Sequence, residues 1–326
     1  CIRGGVCVRA LVSHLLMHAH VLVRLAAETG TGQSMSAVEN YGQVNMQGTA
    51  ILLDAIVNDK PPNLKKLIVA SSRAVYGEGE YQCAAHGRVF PHARTAVDMA
   101  AGRFEPRCPV CSKSVTPLAT TEAAPFGPSS FYGLTKQVQE QMVLMFAQTL
   151  GLDGFALRYQ NVYGPGQSLT NPYTGILAIF SNLVRQGKGL NIFEDGRESR
   201  DFVFIDDVVE ATAVCARDDV HGVMALNVGS GVRTDVLEVA DAIVRYFKAN
   251  VQVEVTGAFR LGDIRHNFAD ISRISALTGF QPRWSFADGL RAFLAWAETH
   301  TAADVGFDRS LAELKERGLM RSGANS

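Results

Sequence analysis

The sequence predicts an α/β protein built on a doubly wound, Rossmann-like parallel sheet. Three observations carry this expectation. Short apolar runs such as KKLIVA (65–70) and FAL (155–157) show no polar alternation, the mark of strands buried on both faces. Amphipathic helical stretches separate these runs, as in a parallel sheet covered on two sides. Ser71 and Ser72 close one apolar run, at the strand end where open α/β sheets bind ligands.

The 326 residues are 47% hydrophobic and 19% charged, enough material for one large or two moderate domains. A formal net charge of -1 gives no electrostatic footprint for a nucleic-acid partner. No apolar run reaches the ~18 residues of a membrane span, and no secretion signal opens the chain. The six cysteines are too few and scattered for a disulfide scaffold, so a reducing cytoplasm is expected. A chain that opens on Cys1 and not on Met reads as a fragment, a processed product or a mistaken start.

The elements follow in order. CIRGGVCVRALVSHLLMHAH (1–20) matches neither the first strand nor the first turn of such a sheet. It reads as an out-of-frame segment, whose His14, His18 and His20 carry no metal site, and the sheet is expected to be N-terminally incomplete. VLVRLAA (21–27) is the first buried strand, and Asn45–Val57 is a helix with Ile51, Leu52, Ala55 and Ile56 on its apolar face. KKLIVASS (65–72) is a strand entered from the turn-former Pro61-Pro62-Asn63. Phe131–Leu150 is a long helix, with Val138, Met142, Met145 and Phe146 at steps of three and four, and FALRY (155–159) is a strand. Beyond Gly164, a helix over 171–188 follows a polar loop. Next come a strand and helix over 201–216 capped by Asp206 or Asp207, a strand and turn over 225–231, and a helix over 234–247 capped by Thr234. Residues 1–165 thus form a first domain. Residues 166–326 form mainly a smaller α/β domain, with segments near 190–230 returning to the first sheet.

Residues 77–125 break the pattern. They are rich in Gly and Pro and show little periodicity; a loop this long is usually functional or has its own stabilising device. Within it stand Cys83-x2-His86 and Cys108-x2-Cys111. Two such knuckles match the ligand spacing of a closed structural zinc site, with His92 as an alternative ligand. The competing reading is two incidental pairs on a polar surface. Cys215 lies in a helical pattern and reads as core.

The chemistry concentrates at SSFYGLTK (129–136). Tyr132 and Lys136 share one helix face, a turn apart. An ammonium near a phenol favours the phenolate, as a general base near neutrality needs. Ser72, at its strand end, supplies the hydroxyl that could hold a substrate alcohol.

The stretches LAAETGTGQSM (25–35), VNMQGTAILLDA (44–55), SSRAVYG (71–77), SSFYGLTKQVQEQ (129–141), RYQNVYGPGQ (158–167), RDFVFIDDVV (200–209), LNVGSG (226–231) and RLGDIRHNFADISR (260–273) together resemble the extended short-chain dehydrogenase/reductases of the NAD-dependent sugar epimerase/dehydratase family. The likeness runs from about residue 21 to 295. Within the family, the CPVC insertion and LGDIRHNFAD are most similar to dTDP-L-rhamnose 4-epimerases. The resemblance implies an NAD-binding first domain and a nucleotide-sugar domain after it. It implies Tyr132 as acid/base, Lys136 on the nicotinamide ribose and Ser72 on the reacting hydroxyl. Ala26, Ala27, Asn45 and Tyr159 would lie along the cofactor. Asn161, Arg200, Arg260 and Asp263 would hold the diphosphate and nucleoside ribose. It also implies a nucleotide-diphosphate sugar as partner and a homodimer formed through the two long helices.

Two departures matter. Arg73 and Ala74 follow Ser72, where related 4,6-dehydratases carry an Asp-Glu pair for water loss; this favours epimerisation at C4 or reduction of a 4-keto sugar over dehydration. The G-x-x-G-x-x-G turn that receives the cofactor pyrophosphate is missing from the sequence. The expected function is therefore an NAD-dependent nucleotide-sugar 4-epimerase of the dTDP-L-rhamnose type. The alternatives are a UDP-glucose-type 4-epimerase, a 4-keto-sugar reductase, or a non-catalytic descendant without the phosphate loop.

Overall fold

The computed structural model describes residues 2–169, 171, 175–302 and 307–321. Cys1 and residues 172–174 of the expected helix 171–188 lie outside the described residues. The main sheet has four parallel strands in the order Val21–Arg24, Lys66–Ser72, Asp153–Tyr159, Val223–Val228. Lys66–Ser72 is buried at every position. Side chains alternate across the pleat: Leu67 and Val69 join one core with Leu53, Ile56 and Val143, while Ile68 joins the opposite core with Phe155, Val208 and Leu226. This is the doubly wound class expected from the apolar runs.

The N-terminal segment is not an unrelated sequence. Arg9–Leu16 forms a helix against the helix Gly48–Asp59. Val12 and Leu16 enter the core, and Arg9 pairs with Asp54 at 3.0 Å and Asp59 at 2.7 Å. Val21–Arg24 pairs with Lys66–Ser72 on one side; its other edge has no strand partner among the described residues.

A second core lies beyond the sheet, where the helices Ile176–Arg185, Val236–Phe247 and Phe286–Glu298 bury Phe180, Val239, Ile243 and Phe293 among themselves. Two caps differ from expectation. Asp235, not Thr234, starts the helix Val236–Phe247, because it closes a reciprocal capping box with Glu238. Phe204 precedes the helix Ile205–Cys215, while Asp207 turns to accept the backbone N–H groups of Arg283 (2.9 Å) and Trp284 (3.1 Å). Residues 77–125 contain strands that periodicity did not reveal: Gly87–Val89, Tyr81–Cys83 and Thr116–Pro117 form a small antiparallel sheet.

Candidate active site

The helix Phe131–Leu150 begins where Ser130 accepts the Gly133 N–H at 3.1 Å, and ends at left-handed Gly151. Its first turn approaches the short 3-10 turn after Ser72 very closely. A Cβ on Gly133 would lie 2.5 Å from the Ala74 carbonyl oxygen, so the glycine in SFYGLTK lets the helix dock on the strand end. That docking brings Tyr132, Lys136 and Ser72 together.

Ser72 is fixed by its own turn: its Oγ accepts the Ala74 N–H at 3.2 Å. Lys136 is 3% exposed and donates to the Ala70 carbonyl at 2.9 Å. Burial, with help from nearby Arg24, pushes its ammonium down to about 7. Its Nζ lies 5.9 Å from the Tyr132 ring centroid. The expectation that Lys136 lowers the Tyr132 pKa is not met in the ligand-free protein. Burial raises the phenol above its ordinary value, and the opposing pull comes from Ser72 and Arg73.

Tyr132 opens onto a cavity of about 280 Å³ whose wall includes Arg73, Asn161, Phe193, Arg200 and Arg260. Arg260 pairs with Asp263 at 2.7 Å and stacks over Phe193, with its guanidinium 5.3 Å from the ring centroid. Arg200 reaches the same cavity, but its Nη atoms donate to the carbonyls of Ser199 (2.8 Å), Arg265 (3.0 Å) and Ile264 (2.9 Å). Asn161 accepts from Arg73 Nε at 2.5 Å.

Those features are a phenol, an ammonium, a hydroxyl and an arginine-lined cavity near the ends of parallel strands. A family model described as the NAD dependent epimerase/dehydratase family matches residues 1–95 and 110–229. The chain belongs to that family. A dTDP-L-rhamnose 4-epimerase from Burkholderia thailandensis is 38% identical over 276 residues, 85% of this chain and 74% of the relative. Among solved structures, MoeE5 in complex with UDP-glucuronic acid and NAD is 25% identical, with a TM-score of 0.73 over 91% of this chain and 85% of that one. A UDP-N-acetylglucosamine 4-epimerase from Methanobrevibacter ruminantium M1, in complex with UDP-N-acetylmuramic acid, is 27% identical, with a TM-score of 0.72 over 92% and 83%.

The family match begins at residue 1, which removes the out-of-frame reading of residues 1–20. The other positions expected along the cofactor have these local surroundings. Asn45 is fully buried in a π-helical stretch, Gly42–Gln47, a rare geometry frequent at functional sites. Its amide grips Glu28 N at 2.9 Å, Glu28 O at 3.1 Å and Thr135 Oγ1 at 3.0 Å. It braces the loop after the first strand against the helix Phe131–Leu150. Tyr159 lies beside Ser72 in the sheet, but its hydroxyl bonds Thr212 at 2.7 Å and does not line the cavity. Ala26 is exposed and Ala27 half-buried, just past the strand end.

Sequence reasoning missed a buried ion pair behind the site. Arg158 binds Glu140 at 2.5 Å, Glu140 accepts from Ser71 Oγ at 2.6 Å, and Arg158 donates to Tyr76 Oη at 2.8 Å. These contacts tie the helix Phe131–Leu150 to the strands ending at Ser72 and Tyr159. Glu198 was also missed. It lines the cavity, and burial pushes its carboxyl up to about 7.

In the insertion, the ligand atoms of Cys83, His86, Cys108 and Cys111 lie within 4.8 Å of one another. His86 Nδ1 stands 3.6 Å from Cys83 Sγ and 3.5 Å from Cys108 Sγ, and the Sγ atoms of Cys83 and Cys111 are 3.8 Å apart. A tetrahedron with arms of about 2.0–2.3 Å has edges of roughly 3.3–3.8 Å, so the donor set fits a closed four-ligand ion. The insertion reaches the cavity through charge. Arg94 bonds Glu78 at 3.1 Å, Glu194 at 2.7 Å and the Asp263 carbonyl at 2.8 Å, and Glu78 also accepts the Arg265 N–H at 2.7 Å.

Proposed function

We propose that this protein is a nucleotide-sugar 4-epimerase of the dTDP-L-rhamnose type that works with NAD. The observation that carries the reading is the meeting of Ser72, Tyr132 and Lys136 at one strand end, opening onto an arginine-lined cavity. The likeness to a dTDP-L-rhamnose 4-epimerase along 85% of the chain supports the sugar and nucleotide. Arg73 and Ala74 supply no carboxyl pair for water loss, which supports epimerisation.

NAD, when bound, accepts and returns a hydride at sugar C4. Lys136 fits the nicotinamide-ribose end: a buried ammonium bonded to one carbonyl has donors left for a diol. Ala27, and the loop that Asn45 braces, would border the cofactor. Tyr132 Oη takes the C4 hydroxyl proton and later returns it. Ser72 holds that hydroxyl in line with Tyr132. Arg260 and Asp263 hold the nucleotide end while the sugar presents its other face.

We also propose that Cys83, His86, Cys108 and Cys111 hold a structural zinc ion, leaving no open coordination position. Metal analysis of the purified protein should give about one zinc per chain, and paired replacement of Cys108 and Cys111 by Ser should abolish it. A metal-free, folded wild type contradicts this site. A homodimer through the outward faces of Gly48–Asp59 and Phe131–Leu150 is consistent with exposed Val57, Leu134 and Met145 on them. The absence of disulfides among Cys7, Cys83, Cys108, Cys111 and Cys215 is consistent with a reducing cytoplasm.

The direct assay incubates the protein with NAD and dTDP-L-rhamnose and follows the C4 configuration by proton NMR. Formation of the C4 epimer supports the reading. Turnover of UDP-glucose alone would move the assignment to the UDP-glucose type.

A further inference from the structure

Three arginines line the cavity, and they differ in what their donors already hold. Arg200 has both Nη atoms on backbone carbonyls of its own chain. Arg260 faces a carboxylate, Asp263, through both Nε and Nη2. Arg73 is different. Its Nε is fixed by Asn161 Oδ1 at 2.5 Å, and among the described residues its two Nη atoms form no hydrogen bond. It also forms no ion pair with a carboxylate there. The guanidinium is thus oriented at one nitrogen and open at the other two, on the wall beside Tyr132.

We infer that Arg73 receives an anionic phosphoryl group of the nucleotide sugar through its two Nη donors, with Asn161 acting as its positioning partner. This rests on the proposed substrate class. The physical case is one of uncompensated charge. A half-buried cation with no directly paired anion pays desolvation that distant carboxylates offset only in part. Burial and the like charge of Arg200 hold Arg73 down to about 9. A planar guanidinium with two free donors matches phosphoryl oxygens bidentately. The carboxylates that line the cavity make no ion pair with Arg73: Asp263 attracts it only at a distance and is bonded to Arg260, and Glu198 lies 3.8 Å from Arg265. Arg73 immediately follows Ser72, so a phosphoryl held there anchors the substrate close to the reacting carbon.

The test is calorimetric binding of dTDP, UDP and thymidine to the wild type, Arg73→Met and Arg73→Lys, with circular dichroism and thermal unfolding as folding controls. Arg73→Met should weaken dTDP roughly 10–100-fold while leaving thymidine within twofold, and Arg73→Lys should recover part of the loss. A variant that is folded and binds dTDP within twofold of wild type overturns the assignment. An equal loss for thymidine and dTDP also overturns it, because the defect would then not concern phosphate. UDP-glucose and UDP-glucuronic acid separate the remaining source of anion. A loss confined to the uronic acid, with dTDP unaffected, would assign Arg73 to a sugar carboxylate and overturn the phosphoryl role. Failure of the wild type itself to bind either nucleoside diphosphate would overturn the proposed substrate class together with this inference.

Discussion

The strand-end site and the insertion are built by different means. At the site, Ser72, Tyr132 and Lys136 come from one strand and one helix, and Gly133 sets how closely the two approach. Regular secondary structure places the chemistry. In the insertion, strands of two or three residues contribute little by themselves. Residues 77–125 are ordered instead by a knot of Cys and His and by the Arg94–Glu78–Glu194 charges. The insertion also has small apolar clusters, Tyr81 with Val89 and Met99 with Phe104 and Phe259. It looks peripheral but is bonded through Arg94 to the Asp263 turn of the cavity.

The largest effect expected at the site is chemical. Tyr132→Phe should lower turnover by roughly 10²–10⁴-fold, the usual contribution of general acid–base catalysis. Far-UV circular dichroism and the unfolding midpoint should stay unchanged. Near-normal turnover would remove Tyr132 as the base. Glu140→Ala sharpens the comparison from the structural side. It leaves the Arg158 guanidinium buried without its carboxylate, behind but not in the cavity. Breaking a buried pair this way costs about 3–5 kcal/mol, measurable by urea denaturation. A loss below about 1 kcal/mol would show that the tie between strand and helix is dispensable.

A smaller effect separates the two regions by pH. The folded Lys136 ammonium has its pKa pushed down to about 7, against 10.5 for an ordinary lysine. Between those values the unfolded chain keeps a proton that the folded chain releases, so this group's contribution to stability rises with pH across that window. It is complete above about 10.5 and lost as pH falls through about 7. The ligand-free wild type should therefore gain Tm relative to Lys136→Met as pH is raised from 7 towards 10. Parallel Tm curves for the two proteins would contradict the buried, weakly partnered ammonium.

What the sequence revealed follows the same division. YGLTK and the Ser71-Ser72 strand end were legible because spacing on one helix and one strand is a local property. The Cys83–His86 and Cys108–Cys111 knuckles were legible for the same reason. The polar ties were not. Glu78 accepts from Arg265 across 187 residues of chain, and Arg158 meets Tyr76 across 82. No periodicity reports such pairs. The grip of Asn45 on Glu28 and Thr135 was not legible either, because which groups an amide holds depends on the loop folded against it. The lowering of the Tyr132 pKa was expected from a spacing of four residues. Spacing does not report burial, and burial raises that phenol.

The measurement closest to the central claim uses dTDP-L-rhamnose carrying deuterium at C4, incubated with the protein and NAD in ordinary water. Transient oxidation at C4 by bound NAD requires that the same hydrogen leave and return within one active site. The product should have inverted configuration at C4 with the deuterium retained there. Inversion with the label replaced by solvent hydrogen would contradict hydride transfer, and no inversion at all, with a folded protein that binds dTDP, would contradict the epimerase assignment.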